Sequence, residues 1–204
     1  MKNKKVCILD YGSGNVASVF NILNYLNYET EVSNEISSIK DASHIILPGV
    51  GAFGKSMEKI KQKIPLNILE NEVCNKKKPF LGICVGMQIL ADKGYEFGEH
   101  EGLGWINGTV EKLEAKMLPH IGWNDIKLKK KSSLFFNLDI PSDFYFVHSY
   151  AFKPKDKNYI TSETYYETNF CSSVEKNNIF GVQFHPEKSQ KGGQKLINNF
   201  LNIL

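Results

Sequence analysis

No apolar run in this 204-residue chain approaches the roughly 20 residues that a bilayer span requires. Met1 to Lys5 is basic, but the apolar stretch behind it stops at Asp10, too short and too quickly acidic for a signal peptide. An excess of one charge is also missing. The 25 basic and 22 acidic residues are interspersed and leave a formal charge of +3, too balanced to indicate a nucleic-acid surface. Lys76–Lys78 and Lys129–Lys131 are short basic runs that read as solvated loops, with a phosphate or partner contact as the alternative. Cysteine is sparse, and Cys7, Cys74, Cys84 and Cys171 show neither a C-x-x-C pair nor metal-ligand spacing. These absences point to a reduced, cytoplasmic protein with no metal and no cofactor. No internal repeat, low-complexity tract or linker divides the chain, so residues 1–204 are expected to form one domain. The apolar fraction of 42% suffices for one core.

The first half alternates short apolar runs with helical periodicity. Val6 to Leu9 reads as a buried strand ending in the glycine-rich turn Asp10–Gly14, and Val16, Val19, Phe20, Leu23 and Leu26 then recur at helical spacing. Thr30 to Val32 is a weak second strand, and His44 to Leu47 a third, stopped by Pro48-Gly49. Met57, Ile60 and Ile64 predict a helix broken at Pro65, with another from Leu66 to about Cys74. Phe80 to Ile83 is the next strand, and Met87 to Ala91 opens the following helix. Strands alternating with helices predict parallel crossovers. In the second half Val110–Leu113, Asp125–Leu128, Phe144–Val147, Tyr159–Glu163 and Ile179–Phe184 read as strands, several joined without room for a helix. A last amphipathic helix from about Gln190 carries Leu196, Ile197, Phe200 and Leu201. The expected fold is α/β: an open, mostly parallel mixed sheet with helices on both faces and an antiparallel extension.

The sharpest chemical signal is Gly82-Ile83-Cys84-Val85-Gly86, a cysteine between a buried strand and a helix. It has the form of a nucleophile elbow, in which flanking glycines let backbone pass close and a helix N-terminus favours the thiolate. A structural cysteine in a tight turn is the alternative. A thiol needs a base and an orienter. His185, just past a predicted strand, and Glu187, two residues on, supply both. Alone, His-Pro-Glu would read as a surface turn; after the elbow it reads as the remainder of a triad. Acyl transfer also needs oxyanion donors. Gly49 and Gly51, in the loop Leu47–Gly54, permit inward-turned amides, so Val50 and Gly51 are candidates, with Val85 after the nucleophile as the second donor. A phosphate-binding turn is the competing reading of this loop, which lacks the G-K-[ST] ending of a P-loop.

Gly82 through Gln88, together with Phe184-His185-Pro186-Glu187, resembles the class I (triad) glutamine amidotransferases. The resemblance covers nearly the whole chain. Further blocks are similar to one branch of that family: Ile8 to Asn15, Leu47 to Gly54, Glu101 to Trp105, Leu118 to Asn124, Phe146 to Tyr150 and His185 to Gln190. Other branches usually show Pro-Gly-Pro where this chain has Pro48-Gly49-Val50, and lack a Pro-His-x-Gly-Trp-Asn block. The resemblance implies hydrolysis of L-glutamine to glutamate and ammonia, and a heterodimer with a cyclase of (β/α)-barrel type in histidine biosynthesis. It implies that Gln88 and Glu96 hold the α-amino and α-carboxylate end of the substrate, with His148, Ser149 and Tyr150 contributing mostly backbone. It also implies that Trp123, Asn124, Tyr145 and Lys188 lie at or near the synthase interface, with Trp123 in the core and Tyr145 as an ordinary strand residue being the alternatives. Val85 stands where many relatives have leucine, a change that keeps the amide.

Two other readings remain open. Paralogous subunits feed ammonia to a related synthase in surface-sugar biosynthesis, and the arginine-free, lysine- and asparagine-rich composition does not separate them. A stand-alone cysteine amidase or peptidase of the same fold would act without a partner. A catalytically dead binding subunit is disfavoured, because it has no physical need for Cys84, His185 and Glu187 together.

Overall fold

The computed structural model describes residues 4–12, 14–139 and 142–203; Ser13, within the glycine-rich turn, and Met1 to Asn3 of the basic start lie outside them. Four short strands open the fold: β1 (Lys5–Ile8), β2 (Glu29–Val32), β3 (His44–Gly49) and β4 (Phe80–Cys84). β3 and β4 are buried along their whole length, which is why they read as near-continuous apolar runs rather than alternating ones. They form half of an eight-stranded sheet in the order β2, β1, β3, β4, Ile179–Val182, Thr168–Lys176, Ile160–Tyr166, Lys127–Leu128. The first five are mutually parallel and the last three attach antiparallel. That is the mixed sheet with an antiparallel extension expected from the sequence.

Helices cover the sheet because their apolar residues recur on one side. Val16–Tyr25 buries Val19 and Leu23. Phe53–Lys63 buries Phe53, Met57 and Ile60 at i, i+4 and i+7 spacing. Gln190–Leu201 buries Leu196, Ile197, Phe200 and Leu201. No helix among the described residues is long and apolar enough to cross a membrane.

Several elements differ from the sequence expectation. The helix after Cys84 runs only from Val85 to Gln88, and tight turns from Leu90 N–H to Met87 and from Ala91 N–H to Gln88 replace its predicted continuation. The strand expected over Asp125–Leu128 is split: Asp125 ends a longer strand, His120–Asp125, paired antiparallel with Asp143–His148 in a separate ribbon, while Lys127–Leu128 forms the edge of the large sheet. The apolar positions of His120–Asp125, Ile121 and Trp123, face outward and a histidine faces in, so its alternation does not mark a core-facing strand. Lys76 and Lys77 are exposed, as expected of a solvated loop, but the run is also tied down: Glu72, buried, sits 2.6 Å from the Lys76 ammonium and 3.1 Å from that of Lys78. A second small sheet joins Tyr150–Pro154, Gly108–Lys112, Lys93–Gly94 and His100–Glu101.

Candidate active site

Parallel pairing sets the site. Gly49 at the end of β3 lies in register with Cys84 at the end of β4, and Val182 lies in register with Ile83. The chain after Val182 therefore delivers Gln183 and His185 to the same sheet edge as Cys84. In open α/β sheets this carboxyl edge is where ligands bind.

Cys84 adopts φ +54° and ψ −111°, a backbone state that side-chain-bearing residues rarely hold. The turn is tight because backbone crosses backbone on both sides. A Cβ on Gly82 would stand 2.3 Å from the Gly86 carbonyl oxygen, and one on Gly86 would stand 2.0 Å from the Leu47 carbonyl oxygen. Glycine is the residue that fits at either place. The elbow geometry is thus a consequence of packing β3 against the single-turn helix after Cys84.

His185 Nδ1 donates to Glu187 Oε1 at 2.7 Å, and both side chains are buried. The opposite nitrogen, Nε2, is buried without a hydrogen-bond partner among the described residues, and the Cys84 sulfur acts on the ring. Burial opposes a charged imidazole, but Cys84 and then Glu187 outweigh it and raise the His185 pKa to about 10. Glu187 is held in turn by Asn15, whose Nδ2 donates to the same Oε1 at 3.0 Å, while Ser18 Oγ donates to Asn15 Oδ1 at 2.7 Å. Sequence reading assigned Asn15 no role. Its place at the head of a helix is the signal that was available: Asn15 stands at the N-cap, yet its side chain caps nothing.

A cavity of about 260 Å³ opens over Cys84, lined by Val50, Gly51, Val85, Gln88, Glu96, Val147, His148, Ser149 and Tyr150. All eight residues expected at the oxyanion site and the substrate pocket border this one space. Its volume is near the small end for ligand pockets and suits a molecule of amino-acid size. Gly51 has φ +103°, so the loop after β3 turns through a conformation that glycine permits. Gln88 Nε2 donates to the Tyr150 carbonyl at 2.9 Å and to Gln183 Oε1 at 3.0 Å, which leaves its own oxygen for the cavity. Glu96 Oε2 accepts from the Phe53 amide at 2.9 Å.

The His148 ring is reached through a directed chain. Its Nδ1 donates to the Tyr150 carbonyl at 2.9 Å, so its Nε2 accepts from His120 Nδ1 at 3.1 Å, and His120 Nε2 accepts from Asn124 Nδ2 at 3.2 Å. Burial pushes His120 down to about 4 and His148 to about 3, which keeps both rings neutral as this pattern requires. Asn124 lies on the ribbon that also carries Trp123, 47% exposed and edge-on to Tyr145 at 6.1 Å, with Lys188 Nζ 5.6 Å from the Tyr145 ring centre. Trp123, Tyr145 and Lys188 are therefore gathered together, and Trp123 is not a core residue; Asn124 alternates to the other side of the ribbon, where its Nδ2 also donates to the Tyr165 carbonyl at 3.0 Å. The Tyr145 carbonyl accepts from the His185 amide at 2.8 Å, tying that face to the triad.

Burial raises Cys7 to about 11 and pushes Cys171 higher still, while Cys74 is raised and only half-buried.

Residues 7–204 match the glutamine amidotransferase class-I family. The chain belongs to that family. It is 46% identical to the imidazole glycerol phosphate synthase subunit HisH of Pelagibacter ubique (strain HTCC1062), over 97% of this chain and 99% of the relative. It is 42% identical to the same subunit of Aquifex aeolicus (strain VF5), over 96% and 95% of the two chains. At the level of fold it is similar to PurLQS from Thermotoga maritima, with a TM-score of 0.76 at 18% identity over 98% of each chain.

Proposed function

We propose that this chain is the cytoplasmic glutaminase subunit of an imidazole glycerol phosphate synthase, acting as one domain over residues 1–204. The observation that carries the chemistry is a strained cysteine above a small cavity, backed by a buried histidine–glutamate pair. The Cys84 thiolate attacks the side-chain amide carbon of glutamine, forming a C–S bond and an oxyanion beside the amides of Val50 or Gly51 and Val85. Collapse breaks the C–N bond, and the imidazolium of His185 gives its proton to the departing ammonia. Water then attacks the thioester and passes a proton to His185. Glutamate leaves and the thiolate–imidazolium pair is restored. Glu187 fixes the ring through Nδ1, so that Nε2 serves the sulfur and the leaving group. Gln88 accepts from the substrate's ammonium group, and Glu96 holds the same end.

The ammonia passes to a (β/α)-barrel cyclase of HisF type in a heterodimer, which makes imidazole glycerol phosphate and AICAR. Two observations support a partner: the relatives bear the name of a synthase subunit, and Ile121 and Trp123 expose apolar area beside the triad. Handing ammonia across a dry interface avoids its protonation in bulk water. The loop from Pro48 to Gly54 is the switch, since a peptide flip at Gly49 or Gly51 completes or breaks the oxyanion site.

The test mixes this chain with the cyclase, its substrate and glutamine. Glutamate and product should appear one for one, and an added ammonia-scavenging enzyme should leave the product undiminished. Suppression of the product by the scavenger contradicts channelling. Full-speed hydrolysis by the isolated chain contradicts the switch.

A further inference from the structure

The helix that follows Cys84 is a single turn from Val85 to Gln88. Its dipole is short, so other donors near the sulfur matter more to the charge of a thiolate. One such donor comes from the neighbouring strand. Gln183 follows Ile179–Val182 and is fully buried. Its Oε1 accepts from Gln88 Nε2 at 3.0 Å, and its Nε2 donates to Cys84 Sγ at 3.6 Å.

The direction of this chain is fixed from one end. The Tyr150 carbonyl can only accept, so Gln88 must present its NH₂ to it. The same NH₂ reaches Gln183, which must answer with its oxygen. The Gln183 NH₂ is thereby turned toward the sulfur. A neutral thiol is a weak acceptor, and burying an amide to serve one gains little over a leucine of similar size. The arrangement is favourable when the sulfur is charged, because hydrogen bonds to ionised groups are the stronger ones.

We infer that Gln183 is a further catalytic residue, donating a hydrogen bond to the Cys84 sulfur that favours the thiolate. This rests on the reading of Cys84 as the nucleophile. It also joins the residue that reads the substrate's amino end to the nucleophile, since Gln88 and Cys84 are the two partners of one amide.

The test is the pH profile of Cys84 alkylation by iodoacetamide in the isolated chain, followed by mass spectrometry of the Cys84 peptide. In Gln183→Met, which keeps the bulk and loses the donor, the midpoint should move up by about one pH unit, the size of one charge-assisted hydrogen bond. In the isosteric Gln183→Glu it should move at least as far, because a carboxylate then faces the sulfur. Folded variants with the wild-type midpoint overturn the inference. A measurement on the unaltered side chain does not depend on either variant folding. The ¹⁵N-labelled side-chain amide of Gln183 should follow the Cys84 titration in the wild type and lose that response in Cys84→Ala; a flat wild-type trace overturns the inference. Labelling by an electrophilic glutamine analogue separates the two layers. Labelling at Cys84 with an unmoved alkylation profile removes the role of Gln183 alone. Labelling at another cysteine removes the nucleophile assignment itself.

Discussion

His185 Nδ1 and Glu187 Oε1 stand 2.7 Å apart with both side chains shielded from solvent, and the ring's other nitrogen is buried and unpaired among the described residues. An imidazole held in this way has one face for orientation and one for chemistry. Removing the ring should therefore cost more than removing its holder. His185→Ala should be nearly inactive in glutamine hydrolysis, whereas Glu187→Gln should retain a measurable rate. Small and equal losses in the two variants would contradict the assignment.

The same pair makes a pH prediction. Burial opposes the charge, yet Cys84 and Glu187 raise His185 from 6.5 to about 10. A folded value above the unfolded one adds stability that is complete below about 6.5 and lost as the pH climbs through about 10. Cys84→Ala and Glu187→Gln each remove one raising partner, so both should flatten the alkaline loss. Urea midpoints measured across that window check this; slopes parallel to the wild type contradict it.

His120 and His148 behave in the opposite sense. Burial lowers them to about 4 and about 3, so their contribution is present above the ordinary histidine value of 6.5 and is lost as the pH falls toward the folded values. His120→Gln should make the acid loss of stability shallower by about one proton over that range. An unchanged acid slope would show that the pair is already charged in the fold.

Cys84 stores strain that a titration of stability can read. At φ +54° a side chain costs about 1–3 kcal/mol, which glycine relieves. Glycine normally lowers stability by roughly 0.5–1 kcal/mol relative to alanine within regular elements. Here Cys84→Gly should be at least as stable as Cys84→Ala in urea denaturation, with both inactive. A clear advantage for alanine would mean that the elbow is unstrained.

Asn15 should act on rate rather than binding. It holds Glu187 but does not line the cavity over Cys84. Asn15→Ala should lower kcat on the order of tenfold, the worth of a hydrogen bond to a charged group, with KM little changed. Since Asn15 does not cap its helix, stability should fall by less than the ~1 kcal/mol of a lost cap. A KM effect without a kcat effect would place Asn15 elsewhere in the mechanism.

The parallel half of the sheet was legible because its strands are buried on both faces and carry uninterrupted apolar letters. The elbow was legible because its two glycines and cysteine sit at fixed spacing. The antiparallel half was harder. Thr168–Lys176 went unread because its interior is written in hydroxyls: Ser173 Oγ meets Thr161 and Ser162 at 2.6 Å each, and Ser172 meets Ser162 at 2.8 Å. These groups satisfy one another and form core where the sequence shows polar residues. His120–Asp125 was hidden for the converse reason, with Ile121 and Trp123 facing outward. Asn15 ends one of the quoted blocks and Gln183 lies in an expected strand, but their roles depend on partners 172 and 99 residues away in sequence. Spacing within a motif carries no information about such contacts.

The most direct test of the account is covalent trapping. Incubating the chain and its cyclase partner with an electrophilic glutamine analogue, followed by peptide mass spectrometry, should give a single adduct on Cys84. Cys7, Cys74 and Cys171 should remain unmodified, since burial raises each of those thiols. Excess glutamine should protect Cys84, and Cys84→Ala should take up no label. Equal labelling of all the cysteines, or labelling of Cys84 that glutamine does not suppress, would contradict a glutaminase site at this position.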